Sequence, residues 1–300
     1  MVRKNTAHLL RELYKTYLYA RICEFDRTEL QQSAVIFAPH PDDETLGCGG
    51  TIYKKKQQGA DVKIVFMTDG RNSHGHLMPP AELAILRANE AIAAAAELGV
   101  AEKDVFLLGF TDGRLGDYET PAIDRVTNIL CDTRPQQVFI PDMYDRPADH
   151  QATYRIVNAA LARINFPVTV YEYPVWFWHH WPWVSLPLKP QRSTLALFRN
   201  SLAAGFGLQL YHRFQHGVYI EDIWQHKQAA LEQHHTQMTR LQNKPEWAIL
   251  ADVCNGEFLN CFFGKYEIFR RRSINLTNNN NKDVQLNVET ATSYLNHGKK

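Results

Sequence analysis

Short apolar runs alternate with helix-like stretches, and this alternation most limits what the chain of 300 residues can fold into. Continuous apolar runs suit strands that are buried on both faces of a parallel sheet. Five such runs occur, at 33–38, 62–67, 105–108, 137–140 and 168–172. Stretches with helical character separate them, at 45–58, 81–98, 121–132 and 151–164. The pattern predicts an α/β fold with a doubly wound, mostly parallel sheet.

The two ends of the chain and one internal segment depart from this alternation. Residues 7–31 have the apolar spacing of one amphipathic helix. Residues 173–220 read as an aromatic-rich insertion, followed by a C-terminal extension that is helical over 220–241 and forms short strands or loops over 247–269. We expect a single domain over 1–272 and a disordered tail over 273–300, which has few large apolar residues.

Composition excludes several classes of function. Lys and Arg number 33 against 32 Asp and Glu, so bulk charge gives no support to nucleic-acid binding. The five cysteines are scattered and form no CxxC pair, which argues against a disulfide framework. No apolar segment reaches the length of a membrane-spanning helix, and we expect a cytoplasmic protein. The basic clusters at 54–56 and 270–272 are expected to be solvated faces.

Ionisable residues gather where the predicted strands end. In an open α/β sheet, ligands bind in the crevice beyond the carboxyl ends of the strands. Four of the strands are followed by such residues, among them His40, Asp42, Asp43, Asp69, Asp112, Tyr144, Arg146 and His150. Any one of them could be a turn or cap residue, but two imidazoles with several carboxylates at one edge predict a metal site.

The spacing suggests which residues would hold the metal. Catalytic zinc takes three protein ligands of the His and Asp/Glu type and leaves one position open. His40 and Asp43 lie three residues apart on one loop, and His150 would approach from a neighbouring strand end. Asp42 is then left beside the site, where its carboxylate could act as the general base on water.

Motifs in a fixed order carry a resemblance to a known family. The run APHPDDETLGCGG at 38–50 resembles the signature of the PIG-L/LmbE family. Further similar motifs follow in the family's order, namely MTDG at 67–70, RANE at 87–90, LGFTDGRL at 108–115, DHQAT at 149–153, KQAAL at 227–231 and TQ at 236–237. Together they cover about 33–172 and 220–240.

The resemblance implies a Rossmann-like fold and an activity. Members of this family are zinc-dependent deacetylases of N-acetylglucosamine-type sugars. The expected cofactor is therefore Zn²⁺, although ligands of this type also accept iron, cobalt or manganese. The expected partner is an amino-sugar small molecule or glycoconjugate, whose identity stays open, and a homo-oligomer is compatible because relatives are often oligomers.

The family's residue roles transfer to matching positions. They imply His40, Asp43 and His150 as zinc ligands and Asp42 as the general base. Arg87 would bind sugar hydroxyls or a phosphate, unless it pairs with Glu90 on the helix surface. Asp69 and Asp112 would contact the sugar or support the ligands, with turn capping as the alternative.

One position departs from the family. A histidine that helps to stabilise the oxyanion often stands three residues before the ligand histidine, and here that position is Pro147. Stabilisation would have to come from the metal or from Tyr144, Arg146, His234 or His235. Two alternatives to sugar deacetylation stay open, an amidase for another N-acyl group and a metal-containing glycan-binding protein without turnover.

Four of the six tryptophans stand close together, at 176, 178, 181 and 183. They could form a wall on which a sugar ring stacks, or lie at a membrane surface, where tryptophan is enriched. They could equally pack in the chain's own core or in a contact between subunits.

Overall fold

The computed structural model describes residues 2–185, 192–241 and 244–274. The strands are β1 Cys23–Glu24, β2 Ala34–Ala38, β3 Val62–Thr68, β4 Val105–Phe110, β5 Gln137–Pro141, β6 Val168–Tyr173, β7 His216–Tyr219 and β8 Tyr266–Ile274. The helices are α1 Val2–Tyr19, α2 Arg27–Gln31, α3 Asp43–Gln57, α4 Pro80–Glu97, α5 Glu119–Thr133, α6 Ala148–Leu161, α7 Arg192–Ala203, α8 Gln209–Arg213, α9 Trp224–Glu232, α10 His235–Met238 and α11 Glu257–Asn260.

The strands form one mixed sheet in the order β1-β7-β8-β6-β5-β2-β3-β4. Five neighbouring strands, from β6 to β4 in that order, are parallel, while β8 runs antiparallel to both β6 and β7. This confirms the predicted α/β fold with a mostly parallel sheet. The strand order reverses between β2 and β5, so a ligand crevice is expected where these two strands end.

Strand β2 is buried along its whole length because helices cover both faces of the sheet. Its alternate residues Ile36 and Ala38 pack in the cluster that contains Ile52 of α3. Val35 and Phe37 point to the opposite cluster, with residues of α5 and α6. The continuous apolar run therefore reflects two cores, one on each face.

The prediction of one helix over 7–31 is wrong. Helix α1 ends at Tyr19, and Cys23–Glu24 then pairs with β7. A new helix begins after Asp26, whose side chain accepts from Glu29 N at 2.7 Å while Glu29 accepts from Asp26 N at 3.2 Å. This capping box starts α2 and breaks the apparent periodicity.

The C-terminal extension is more broken than predicted. The stretch expected to be helical over 220–241 contains two short helices, α9 and α10. The region 247–269 holds short helical turns and the first part of β8, which continues to Ile274. The rest of the tail that was predicted to be disordered, 275–300, lies outside the described residues.

The basic clusters at 54–56 and 270–272 contain side chains with partners inside the protein, so they are not only solvated faces. Lys55 is fully buried, and its Nζ donates to the carbonyls of Glu29 and Gln32. Arg270 and Arg272 reach the buried carboxylate of Glu172 at 3.2 and 3.1 Å. Local sequence hides these partners because they lie on other elements of the fold.

Packing within the chain buries two of the four clustered tryptophans and contacts a third. Trp178 and Trp183 are buried and meet edge to face with ring centroids 4.9 Å apart. Trp176 is half-buried and stacks on Phe258, with 4.8 Å between centroids. Among the described helices, none has the length and apolar character needed to pass through a bilayer.

Candidate metal centre and active site

The three predicted metal ligands meet at the switch point of the sheet. His40 follows β2, Asp43 is the first residue of α3, and His150 lies in the first turn of α6 after β5. Asp43 Oδ2 lies 3.1 Å from His40 Nδ1 and 3.2 Å from His150 Nε2. One ligand atom from each residue lies within 4.8 Å of the others, a spacing that one metal ion could bridge. We refer to these residues as the ligand trio.

The surroundings of both histidines fit a metal such as zinc. His150 Nδ1 lies 3.1 Å from Asp145 Oδ2, and His40 Nε2 lies 3.3 Å from Asp149 Oδ2. Metal-ligating histidines commonly face a carboxylate with their second ring nitrogen, which fixes the ring and its tautomer. His150 Nε2 is buried without a well-formed hydrogen bond among the described residues, so this nitrogen would be the one to face a metal ion after it loses its proton.

The pKa values of these side chains reflect the same contacts. Burial lowers the pKa of His150, but Asp43 and Asp145 outweigh it and raise that pKa to about 9. Burial likewise opposes the charge on Asp43, yet the two imidazoles hold its pKa well below the usual range. Metal binding at this trio would therefore release protons, and it would weaken at acidic pH.

Asp145 is a supporting residue that the sequence analysis did not single out. It is fully buried and accepts backbone hydrogen bonds from Val175, Trp176 and Phe177 at 3.1, 3.2 and 2.6 Å. It thus joins the aromatic-rich segment to the ligand His150. The only sequence signal was an acidic residue five positions before that histidine.

The other predicted aspartates have different surroundings. Asp112 Oδ1 lies 3.4 Å from His40 Nε2, so it supports the same imidazole as Asp149. Asp149 also accepts from Gly113 N and Leu115 N at 2.6 and 3.1 Å. Asp69 accepts from Arg71 N and Nε at 3.2 and 2.6 Å. These contacts correspond to turn capping, the alternative to a sugar contact for this residue.

Asp42 stands apart from the ligand trio in a strained backbone conformation. Its φ of 129° lies in the region that favours glycine, a strain that functional sites often store. Burial raises the pKa of its carboxyl to about 7, although the guanidinium of Arg87, 3.4 Å away, opposes the rise. A carboxyl that changes charge near neutral pH suits proton transfer.

Arg87 lies beneath the site, with only 2% of its surface exposed. Besides Asp42, its guanidinium donates to the carbonyls of Pro41 and Gly70. The amide oxygen of Gln237, in the orientation that satisfies both groups, accepts from it at 2.7 and 2.8 Å. The structure therefore gives Arg87 a positioning role toward Asp42, and its prediction as a sugar-binding residue stays a prediction.

The expected helix-surface pair of Arg87 with Glu90 is replaced by another contact. Glu90 accepts from Thr236 N and Oγ1 at 2.8 and 2.6 Å, which ties α4 to α10.

Of the two histidines considered for the oxyanion, only His234 lies close to Asp42. His234 Nε2 lies 2.9 Å from Glu44 Oε1, and Glu44 Oε2 accepts from Asp42 N at 2.9 Å. His234 is fully buried, whereas His235 is exposed. Burial lowers the pKa of His234, but the charge of Glu44 more than compensates and raises it above the ordinary value.

Tyr144 and Arg146 border a cavity of about 380 Å³, which is also lined by Gln151, the residue after His150. Pro147 immediately precedes α6, and Trp176 is another lining residue of the cavity.

Comparison with known proteins identifies the family. A family model described as "PIG-L: GlcNAc-PI de-N-acetylase" matches residues 35–161. A 1D-myo-inositol 2-acetamido-2-deoxy-alpha-D-glucopyranoside deacetylase of Mycolicibacterium paratuberculosis is 30% identical over 237 residues, which cover 66% of this chain and 77% of that protein. The chain belongs to the PIG-L family. The resemblance carried by the sequence motifs is thus confirmed.

Other matches of this PIG-L chain are shorter or more distant. Diacetylchitobiose deacetylase of Thermococcus kodakarensis is 34% identical over 122 residues, or 38% of this chain and 43% of that protein. The chain spans about half the length of the first curated relatives that it matches. The solved N,N'-diacetylchitobiose deacetylase from Pyrococcus horikoshii has the same fold, with a TM-score of 0.57, 22% identity and coverage of 88% of this chain and 92% of that one.

Proposed function

We propose that this PIG-L chain hydrolyses the N-acetyl group of an N-acetylglucosamine-type sugar or glycoconjugate, giving acetate and a free amine. The names of its curated relatives support this substrate class. The observation that carries the proposal is the ligand trio with Asp42 next to it in the chain, because the charges of Asp43 and His40 both act on the carboxyl of Asp42, which does not itself belong to the trio.

The ligand trio would hold the cofactor, for which zinc is the proposed metal. A bound divalent ion supplies Lewis-acid polarisation of a carbonyl and lowers the pKa of water. Asp145 and Asp149 orient the two imidazoles so that their free nitrogens face the same point. The guanidinium of Arg87 and the backbone conformation at residue 42 fix the position of the Asp42 carboxylate.

Asp42 would move the proton of the reaction. Its carboxylate takes a proton from the attacking water as the new C–O bond to the acetyl carbon forms. The same carboxyl then gives that proton to the amine nitrogen as the C–N bond breaks. Water and amide are consumed, acetate and amine are formed, and Asp42 returns to its starting charge.

Asp42→Asn tests this role. The amide keeps the shape of the side chain but cannot accept the proton, so amine release should fall by about 100-fold or more. The metal content should be unchanged, because Asp42 lies outside the ligand trio. The matched control is Asp124→Asn on the exposed surface of α5. Turnover of Asp42→Asn within about threefold of the wild type would remove Asp42 from the mechanism.

A further inference from the structure

The cavity that Tyr144 and Arg146 border has the size and lining of a small-molecule site. Its volume of about 380 Å³ lies in the range of ligand pockets. One wall comes from the loop after β5, with Tyr144 and Arg146. The other comes from Trp176, Phe177 and residues of α7, including Asn200.

Asp145 connects this cavity to the metal centre. The residues on either side of Asp145 line the cavity, while its own carboxylate holds His150. The same carboxylate accepts from the backbone of Trp176 and Phe177, so it also fixes the opposite wall. Gln151, which also lines the cavity, directly follows His150 in α6.

The cavity carries positive charge without a matching carboxylate. The guanidinium of Arg146 donates to the backbone carbonyl of Arg199 at 3.4 Å. Partial burial and the nearby charge of Arg199 both lower the pKa of Arg146, and no acidic group opposes them among the described residues. Arg146 lines the cavity and has no acidic partner in the described part of the chain, an arrangement that favours an anionic ligand.

The aromatic side of the cavity is held in place before any ligand binds. The guanidinium of Arg213 stacks on the ring of Tyr144 at 3.9 Å and pairs with the buried carboxylate of Asp142. Arg213 is thereby neutralised, in contrast to Arg146. The half-exposed ring of Tyr144 faces a cavity whose other aromatic wall is Trp176.

We propose that this cavity binds the acceptor part of the substrate, the group joined to the amino sugar, and that Arg146, with Arg199 beside it, selects acceptors that carry a carboxylate or a phosphate. This assignment rests on the proposed deacetylation for the position of the amino sugar. Arg146 lies within the 35–161 segment that the family model matches, whereas the cavity wall at 176–209 lies beyond it.

A matched pair of substrates tests the charge preference. The probes are the carboxybutyl glycoside of N-acetylglucosamine and its methyl ester, which have nearly the same size but differ in charge. N-acetylglucosaminyl phosphate is the third probe and separates phosphate from carboxylate recognition. We expect the wild-type kcat/KM for at least one anionic probe to exceed that for the ester by about tenfold or more.

Arg146→Gln should bring the ratio of kcat/KM for the anionic probe to kcat/KM for the ester close to one. The control is Arg163→Gln, since Arg163 is exposed and pairs with Asp124 on the neighbouring α5. Equal rates for acid, phosphate and ester in the wild type would overturn the proposal. So would a preference that survives in Arg146→Gln.

Binding of reaction products keeps this test separate from the deacetylase proposal. The deacetylated carboxybutyl glycoside and its methyl ester cannot react further, and their affinities for wild-type holoenzyme and Arg146→Gln can be measured by calorimetry. Binding of the acid that depends on Arg146, without hydrolysis of any probe, would support the cavity assignment and refute the activity. Hydrolysis of all probes without a charge preference in rate or binding would support the deacetylase activity and refute the cavity assignment.

Discussion

At the scale of single residues, the site depends on carboxylates outside the ligand trio. Asp145 and Asp149 each bring a buried carboxylate oxygen to the second nitrogen of a ligand imidazole. Both also accept backbone hydrogen bonds that hold surrounding loops, at 175–177 for Asp145 and 113–115 for Asp149. A mutation there is expected to disturb metal binding without removing any ligand.

Of substitutions at Asp145 and Asp149, Asp145→Asn gives the clearer test of this expectation. It removes the charge that orients His150, and we expect metal affinity to fall about 10–100-fold, as for other supporting carboxylates at metal sites. Competition with a chromophoric chelator measures the affinity, and excess metal should restore part of the activity. Asp124→Asn serves as the control, and an unchanged affinity in Asp145→Asn would contradict the role assigned to this residue.

The proximity of the three candidate ligands could be predicted because these residues follow strands directly. His40, Asp43 and His150 stand in motifs whose position at strand ends is readable from local sequence. The contact of Asp145 with the backbone of Val175 and that of His234 with Glu44 could not be assigned in this way, since they span 30 and 190 positions, respectively.

At the scale of elements, buried charges join helices and strands that local sequence cannot pair. Lys55 of α3 donates to the carbonyls of Glu29 and Gln32 at 2.9 and 2.8 Å, which closes the C-terminal end of α2. Burial lowers the pKa of Lys55 to about 7, and the charge of Glu29 offsets only part of this effect.

Lys55 should therefore make stability depend on pH. Its pKa is lower in the folded chain than in the unfolded chain, so between pH 7 and about 10 the unfolded chain binds more protons and stability rises with pH. We expect the free energy of unfolding of the wild type, relative to Lys55→Met, to increase over this range by up to about 1.4 kcal/mol per pH unit. Urea unfolding of both proteins measures this difference in the free energy of unfolding. A difference that stays constant with pH would contradict the lowered pKa of Lys55.

A second buried pair connects α3, α9 and β8. Lys227 Nζ lies 2.7 Å from Glu267 Oε1, and Glu267 also accepts from Gly50 N and Thr51 N at 2.8 and 2.7 Å. Glu267→Gln would leave the ammonium group buried without a counter-charge, at a cost of about 3–5 kcal/mol in unfolding free energy.

Adding Lys227→Met to Glu267→Gln should recover part of that loss, because the uncompensated charge is removed. Denaturant unfolding of the wild type, both single variants and the double variant gives the coupling energy. If the effects of the two substitutions were additive, the coupling energy would be zero. That result would show that the two side chains do not stabilise each other through their charges.

The elements themselves were predictable to the extent that they are regular and buried. Each of the five parallel strands is a short apolar run, and those runs matched the structure closely. Strands β1 and β7 were missed because they have two and four residues and pair with each other across about 190 positions. The N-terminal helix was overextended because the capping box at Asp26 competes with an apolar periodicity that continues past it.

At the scale of the whole molecule, the sheet order creates the site. β2 and β5 are neighbours although about 100 residues separate them, and their ends bring His40 and Asp43 together with His150. The insertion after β6 then adds the cavity wall to this arrangement. Strand alternation predicts that such a crevice exists, but only the folded insertion shows what borders it.

Metal-dependent release of free amine from N-acetylglucosamine glycosides is the most direct test of the proposed activity. Purified protein is assayed with its metal, after chelation, and after zinc is added back. We predict release that chelation abolishes and that about one equivalent of zinc restores. Undiminished release after complete metal removal, or no release from any glycoside by fully metal-loaded protein, would contradict it.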